Sequence, residues 1–186
     1  IDHNRSVQFV ARELELRMFE SDDAVFEPEE LIEIALDRKP KFRAGEGFAY
    51  GDTNYVLAGL VIERATGRSP FDQIEERFIT PLGLADITPA RSRRIANLAA
   101  GYQFPVNPFL LPPKITGEDG LHIHPMLEST AGGFATTPRD LVRWAKALFE
   151  ARALPADATA EMTRHTVASG DGRRYGLGLY RYETPL

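Results

Sequence analysis

The sequence contains no cysteine. That excludes disulfides, thiolate metal sites and a cysteine nucleophile. It fits an exported bacterial protein and a cytosolic one equally well. No apolar run approaches the roughly 20 residues that a membrane-spanning helix requires, and no signal-peptide pattern stands in the chain. Basic residues are in deficit: 22 Lys+Arg face 27 Asp+Glu, for a net charge of −5. Nucleic-acid binding needs a concentrated basic surface, so a nucleic-acid partner is not expected. The single basic cluster, Arg91-Ser92-Arg93-Arg94, reads as a solvated loop.

Familiar nucleophile patterns are missing too. A serine three residues before a lysine would place both on one helix face, where the amine can activate the hydroxyl. Ser6, Ser21, Ser69, Ser92, Ser129 and Ser169 are followed at that spacing by Phe9, Ala24, Asp72, Ile95, Gly132 and Gly172. Lys39, Lys41, Lys114 and Lys146 are preceded by Leu36, Arg38, Leu111 and Arg143. No Gly-x-Ser-x-Gly elbow and no phosphate-binding glycine loop occur, and nothing in the chain calls for a cofactor.

What is present is ordinary globular material. Apolar residues make up 43% of the 186 positions and charged residues 26%, enough to bury a core. Val7, Val10, Leu14 and Met18 give residues 5–20 helical spacing. A second helix is expected from Phe26 to Arg38, with Pro28 in its first turn and Lys39-Pro40-Lys41 ending it. A third follows Asp52 or Thr53 as cap and ends at Gly67; Val56, Leu57, Leu60, Val61 and Ala65 predict a central, largely buried helix. Ser69-Pro70 opens a fourth, with Phe71, Ile74 and Phe78 on one face, before a tight turn at "TPLGL". Prolines 105, 108, 112 and 113 mark a long irregular segment of the kind that often frames a binding surface. Thr137-Pro138-Arg139-Asp140 resembles a capping box opening a helix through Leu148. A short helix over 156–165 and a strand at "RYGLGLYRY" complete the pattern. The chain starts without methionine and stops just after that strand, and a strand needs a partner; we expect an excerpt of a longer protein.

Two residue sets stand out chemically. His122-Ile123-His124 would put two imidazoles on one side of a strand, where they can hold zinc, but no His-Glu-x-x-His accompanies them. A polar loop is the plainer reading, and no metal is expected. Tyr50-Gly51-Asp52 sits just before the third helix. Taken alone it reads more readily as a packing tyrosine and a helix cap worth about 1 kcal/mol than as a reactive pair. A tyrosine, with a pKa near 10, acts as a base near neutrality only beside cations.

The longer context changes that weighting. "FRAGEGFAYGDTNYVLAGLVIERATGRSPFDQIEERFITPLGLADI" resembles the serine β-lactamase/penicillin-binding-protein family. It is most similar to the branch with class C β-lactamases, D-alanyl-D-alanine carboxypeptidases and esterases. There a turn precedes a Tyr-x-Asn motif, a helix ending in Thr-Gly follows, and then a Pro-Leu-Gly-Leu turn. "AGGFATTPRDLVRWAKALF" resembles the family's Gly-Gly turn, cap and following helix, and "YGLGLYRY" a strand leading into its sheet. The three segments stand in the family's order.

The resemblance implies an α+β fold of β-lactamase/transpeptidase type, here predominantly helical and without its N- and C-terminal sheet parts. It implies one partial domain over 1–186. Residues 1–130 form a mostly helical region with an irregular loop at 85–125; residues 131–186 hold the Gly-Gly turn, a helix and the start of the sheet. The family's Ser-x-x-Lys helix lies upstream of these motifs and its His-x-Gly or Lys-Thr-Gly strand downstream. Lys114-Ile115-Thr116-Gly117 imitates the latter but has an extra residue and precedes the Gly-Gly turn, so it is not assigned that role. By motif, Tyr50 is the implied proton-transferring tyrosine. Asp52 stands where the family has asparagine, in the substrate-binding or proton network. An ionised carboxylate accepts hydrogen bonds but cannot donate one, so β-lactam or peptide recognition is less expected than esterase or amidase specificity. The implied parent is a serine hydrolase forming an acyl-enzyme on an ester, amide or β-lactam, with a small molecule or peptide as substrate. A periplasmic or secreted location rests on the resemblance only. The chain alone is expected to be inactive; the alternative is a binding module that keeps the fold without the nucleophile.

Overall fold

The computed structural model describes residues 17, 24–36, 39–103, 112–170 and 172–182. The helix expected over 5–20 therefore lies outside the described residues, apart from Arg17.

Helix α1 spans Pro28–Leu36. Proline suits its first position because that N–H has no intrahelical partner. Glu29 and Glu30 favour the same end, where the helix dipole is positive. Glu30 also accepts the Glu27 N–H at 3.4 Å and pairs with Arg17 at 3.1 Å. Helix α2, Thr53–Thr66, ends where Gly67 turns left-handed at φ 67° and donates its N–H to Glu63 O at 2.7 Å. Glycine takes that conformation without the clash a Cβ would create.

These two helices enclose the main core. Leu31 and Val56 are fully buried, with Phe26, Ile32 and Leu127 beside them, and Leu60, Ile123 and Met126 pack against this group. The expected burial of α2 holds on one face only: Leu57 is 44% exposed and Val61 67%. Its apolar girdle is wider than the surface its neighbours cover. On the covered face, Gly59 lets the 3-10 turn Ser129–Ala131 approach. A Cβ at Gly59 would lie 2.7 Å from Thr130 Cγ2, and the Thr130 hydroxyl donates to Tyr55 O at 2.7 Å.

The fourth expected helix divides. Helix α3, Pro70–Ile74, is capped by Ser69 accepting the Phe71 N–H. It then widens into a π-helical turn over Glu75–Ile79, and Gly83 completes the "TPLGL" turn at φ 64°. Periodicity showed the apolar face here but not the change of pitch.

Strand β1, Thr88–Pro89, pairs antiparallel with β4, Phe134–Ala135. The Gly132-Gly133 turn feeds this pair: Gly133, at φ 86°, accepts the Ala90 N–H at 2.7 Å. Strands β2, Thr116–Gly117, and β3, Gly120–Leu121, form a small hairpin inside the irregular segment. The helix at 138–149, α4, has Thr137 as its cap, accepting the Asp140 N–H at 3.3 Å. Asp140 is 1% exposed; its carboxylate accepts the Asp86 N–H at 2.8 Å and an Arg143 N–H at 3.0 Å. The box therefore also fastens α4 to the turn after Leu84. Helix α5 is Ala156–Arg164.

The strand expected at "RYGLGLYRY" is instead a hairpin. Strand β5, Val167–Gly170, pairs with β6, Arg173–Tyr175, and β6 pairs with β7, Tyr180–Arg181. Gly176–Leu179 makes the turn, with Gly178 at φ 77°. The two glycines in "YGLGLY" are the turn signal that an unbroken strand ignores. No helix among the described residues is long and apolar enough to cross a membrane.

Two substitutions test this packing. Gly59→Ala gains about 1 kcal/mol of helix propensity but overpacks against Thr130 at a cost of about 1–3 kcal/mol, and a displaced Thr130 loses its bond to Tyr55 at about 1 kcal/mol. Net destabilisation is expected. Asp140→Ala removes the acceptor of the Asp86 N–H and of Arg143, untying α4 from the turn after Leu84, and should cost about 1–2 kcal/mol. Both are read as a lower urea midpoint at unchanged slope; an unchanged midpoint contradicts the assigned contact.

Candidate functional site

The site is built from the start of α2 and the hairpin β6–β7. The extended segment Gly47–Tyr50 leads into α2, and the Asp52 backbone is already helical at φ −63°, ψ −30°. The Asp52 carbonyl accepts the N–H groups of Tyr55 at 2.9 Å and Val56 at 3.2 Å. Its carboxylate makes no capping bond to the helix, so the expected side-chain cap is not formed. The carboxylate lies near the Tyr50 hydroxyl, and its negative charge is one cause of that phenol's raised pKa.

Tyr50 lies in an aromatic cluster drawn from both ends of the described chain. Its ring centroid is 5.9 Å from Tyr55, 6.0 Å from Tyr175 and 6.4 Å from Tyr180. Tyr175 and Tyr180 meet edge to face at 4.7 Å, a favourable aromatic geometry. The Tyr55 and Tyr175 hydroxyls are hydrogen-bonded to each other, linking α2 to β6. The Arg173 guanidinium sits 5.8 Å from the Tyr180 ring. None of Tyr55, Tyr175 and Tyr180 was singled out by sequence. The signal available was the repeated tyrosine in "YGDTNY" and "RYGLGLYRY", but pairing residues 120 positions apart needs the fold.

The electrostatics hold Tyr50 in its neutral form. Withdrawal of the ring from water is the largest cause, followed by the Asp52 charge, the Asp52 hydrogen bond, and Tyr55 and Tyr180. Together they raise its pKa well above the ordinary tyrosine value near 10. Tyr175 is raised similarly, by burial first and then by its bond to Tyr55. A value raised on folding means that the fold favours the protonated phenol. This contribution is complete below about pH 10 and is lost as pH climbs past it. None of the four lysines lines the pocket beside Tyr50. In this setting the Tyr50 hydroxyl stays protonated near neutrality; acting as a base requires a cation brought to it or to Asp52.

The His-x-His pair is separated in role. His124 is 1% exposed, accepts the Met126 N–H through Nδ1 at 3.2 Å, and packs 5.3 Å from the Phe26 ring. His122 lies against Gly117. Among the described residues no three of His, Asp and Glu gather as a metal site.

A helical unit that carries a tyrosine–carboxylate pair at a helix start, followed by a Gly-Gly turn and a sheet hairpin, matches the protein family described as beta-lactamase over residues 11–186, and the chain belongs to that family. Among solved structures it is similar to a D-stereospecific amidohydrolase from Streptomyces sp., at 31% identity and a TM-score of 0.77, covering 98% of this chain and 52% of that one. It is also similar to a D-amino acid amidase from Ochrobactrum anthropi SV3, at 26% identity and a TM-score of 0.70, covering 90% and 49%. Penicillin-binding protein 4* of Bacillus subtilis (strain 168) is 26% identical over 152 residues, which are 77% of this chain and 33% of the Bacillus protein. The chain thus spans about half the length of those solved relatives. Their folds confirm a β-lactamase/transpeptidase-like architecture, of which this chain holds a part.

Replacing Asp52 by Asn removes the negative charge beside the Tyr50 hydroxyl. The Tyr50 pKa should fall toward 10 yet stay above it, because burial remains. Carbon-13 tyrosine NMR, with Tyr50→Phe to assign the resonance, reads this directly. An unmoved titration contradicts the coupling of Tyr50 to the Asp52 charge.

Proposed function

We propose that this chain is the tyrosine-bearing part of a serine hydrolase that transfers an acyl group to water from an ester or amide. The observation that carries the reading is Tyr50 lining a pocket, with the Asp52 charge acting on its phenol, in a chain of this family. The similarity to a D-stereospecific amidohydrolase and a D-amino acid amidase favours D-configured amides within that range.

The chemistry follows from the pair. In the complete protein a serine hydroxyl attacks the carbonyl carbon and its proton passes through Tyr50 to the leaving group. Backbone N–H groups hold the oxyanion, usually the largest single contribution in acyl transfer. Such a step needs Tyr50 to release a proton and regain it, and its raised pKa opposes release. A lysine ammonium placed at the Asp52 carboxylate would offset that charge and bring Tyr50 back toward its ordinary range. Asp52 thus anchors the cation in place of the family's asparagine. As an acceptor only, it cannot donate to a substrate carbonyl.

The test uses the complete protein with p-nitrophenyl esters, nitrocefin and D-amino acid amides. Tyr50→Phe should lower kcat by about 10²–10⁴-fold, the usual contribution of a positioned acid–base group, without loss of fold by circular dichroism. Full turnover in Tyr50→Phe overturns the assignment. No turnover of any substrate by the unaltered protein, and no labelling by a fluorophosphonate, supports a binding module instead.

A further inference from the structure

Beside Tyr50 lies a pocket of about 280 Å³ between the first turns of α2 and the β6–β7 turn. Its walls are rings and backbone. Phe48 and Tyr175 meet at 5.2 Å, and Tyr50 stands edge-on to Tyr175 at an interplanar angle of 85°. The Tyr55 and Tyr175 hydroxyls are bonded to each other, and the rings of Tyr175 and Phe48 supply much of the wall. Ala58 and Leu177 complete the apolar lining, Asn54 is the single side-chain amide, and no charged side chain takes part.

Backbone constraints keep the pocket open and its wall in place. A side chain at Gly176 would run into the Met162 carbonyl oxygen, the same oxygen that accepts the Leu177 N–H at 3.0 Å. Gly178 needs its left-handed φ of 77°. The turn is therefore held against α5 through Met162, and two glycines contribute no side chain to fill the space.

We propose that this pocket is the specificity subsite for an uncharged aromatic or branched apolar substituent of the substrate, oriented by the Asn54 amide at its edge. A charged substituent would lose its hydration with no charged partner in the lining. An aromatic one gains edge and face contacts with Phe48 and Tyr175. The amide can both donate and accept, which the Asp52 carboxylate does not do. The assignment of the occupant as substrate rests on the hydrolase reading; the pocket's preference for an apolar group does not.

Ala58 is an exposed position on α2, so a larger side chain there plugs the pocket without entering the core. In the complete protein, Ala58→Phe should lower the ratio of kcat/KM for p-nitrophenyl phenylacetate over p-nitrophenyl acetate by about tenfold, the discrimination typical of a hydrophobic pocket. A fall of about threefold or more supports the subsite, and a smaller change overturns it. Ala58→Leu serves as the plug if the phenylalanine variant does not fold. Binding is measured separately, by saturation-transfer NMR with benzyl alcohol as probe. A signal present in the unaltered protein and lost in the variant supports the pocket; no signal, or one equal in both, overturns it. If the protein hydrolyses neither ester while the benzyl alcohol signal behaves as expected, the hydrolase reading fails and the apolar pocket stands.

Discussion

The close approach of α2 to the Ser129–Ala131 turn sets where everything else in this unit lies. It depends on Gly59, which leaves room for Thr130, and on the Thr130 hydroxyl, which holds the Tyr55 carbonyl at 2.7 Å. With α2 fixed along that line, Val56 points into the core with Leu31 and Phe26. The first turn of the same helix then presents Tyr55 to β6, and the segment before it presents Tyr50. One helix therefore has two tasks, a packing face and a chemical end. A shift of α2 by the width of a methyl group would disturb both.

The chemical end is notable for what surrounds the phenol. A tyrosine beside a carboxylate and the rings of Tyr55, Tyr175 and Tyr180 is held in its neutral form by burial, by that charge and by Tyr55 and Tyr180. Ionising it near neutrality requires positive charge nearby. On the proposed reading that charge is an ammonium at the Asp52 carboxylate. Asparagine at this position would leave Tyr50 easier to ionise but would hold a cation less strongly. On the proposed reading the aspartate gives up a lower phenol pKa for a firmer hold on a cation.

Much of the helical layout was legible in the sequence. Pro28, Gly67, Ser69-Pro70 and Thr137-Pro138 are start and stop signals whose mechanisms are local, and each acts where expected. What failed depended on partners distant in sequence. The breadth of the apolar face on α2 could not say which half is covered. The Asp52 cap failed because its backbone is already helical, at φ −63° and ψ −30°, and its side chain makes no capping bond. The hairpin at Gly176–Leu179 was hidden under strong β-formers despite its glycines. At the site, Tyr50 and Asp52 were found by motif order. Tyr55, Tyr175 and Tyr180 were not, because only folding brings residues 50–55 to residues 175–180.

The proposed function requires Tyr50 to face a reacting serine. A crystal structure of the complete protein, carried to the acyl-enzyme with a slow ester or amide, measures this without reliance on rates. The account predicts the Tyr50 hydroxyl within about 3 Å of the acylated serine oxygen, the reach required for proton transfer, with an ammonium at the Asp52 carboxylate. A tyrosine hydroxyl turned away, with the acylated serine on another face of α2, would contradict it.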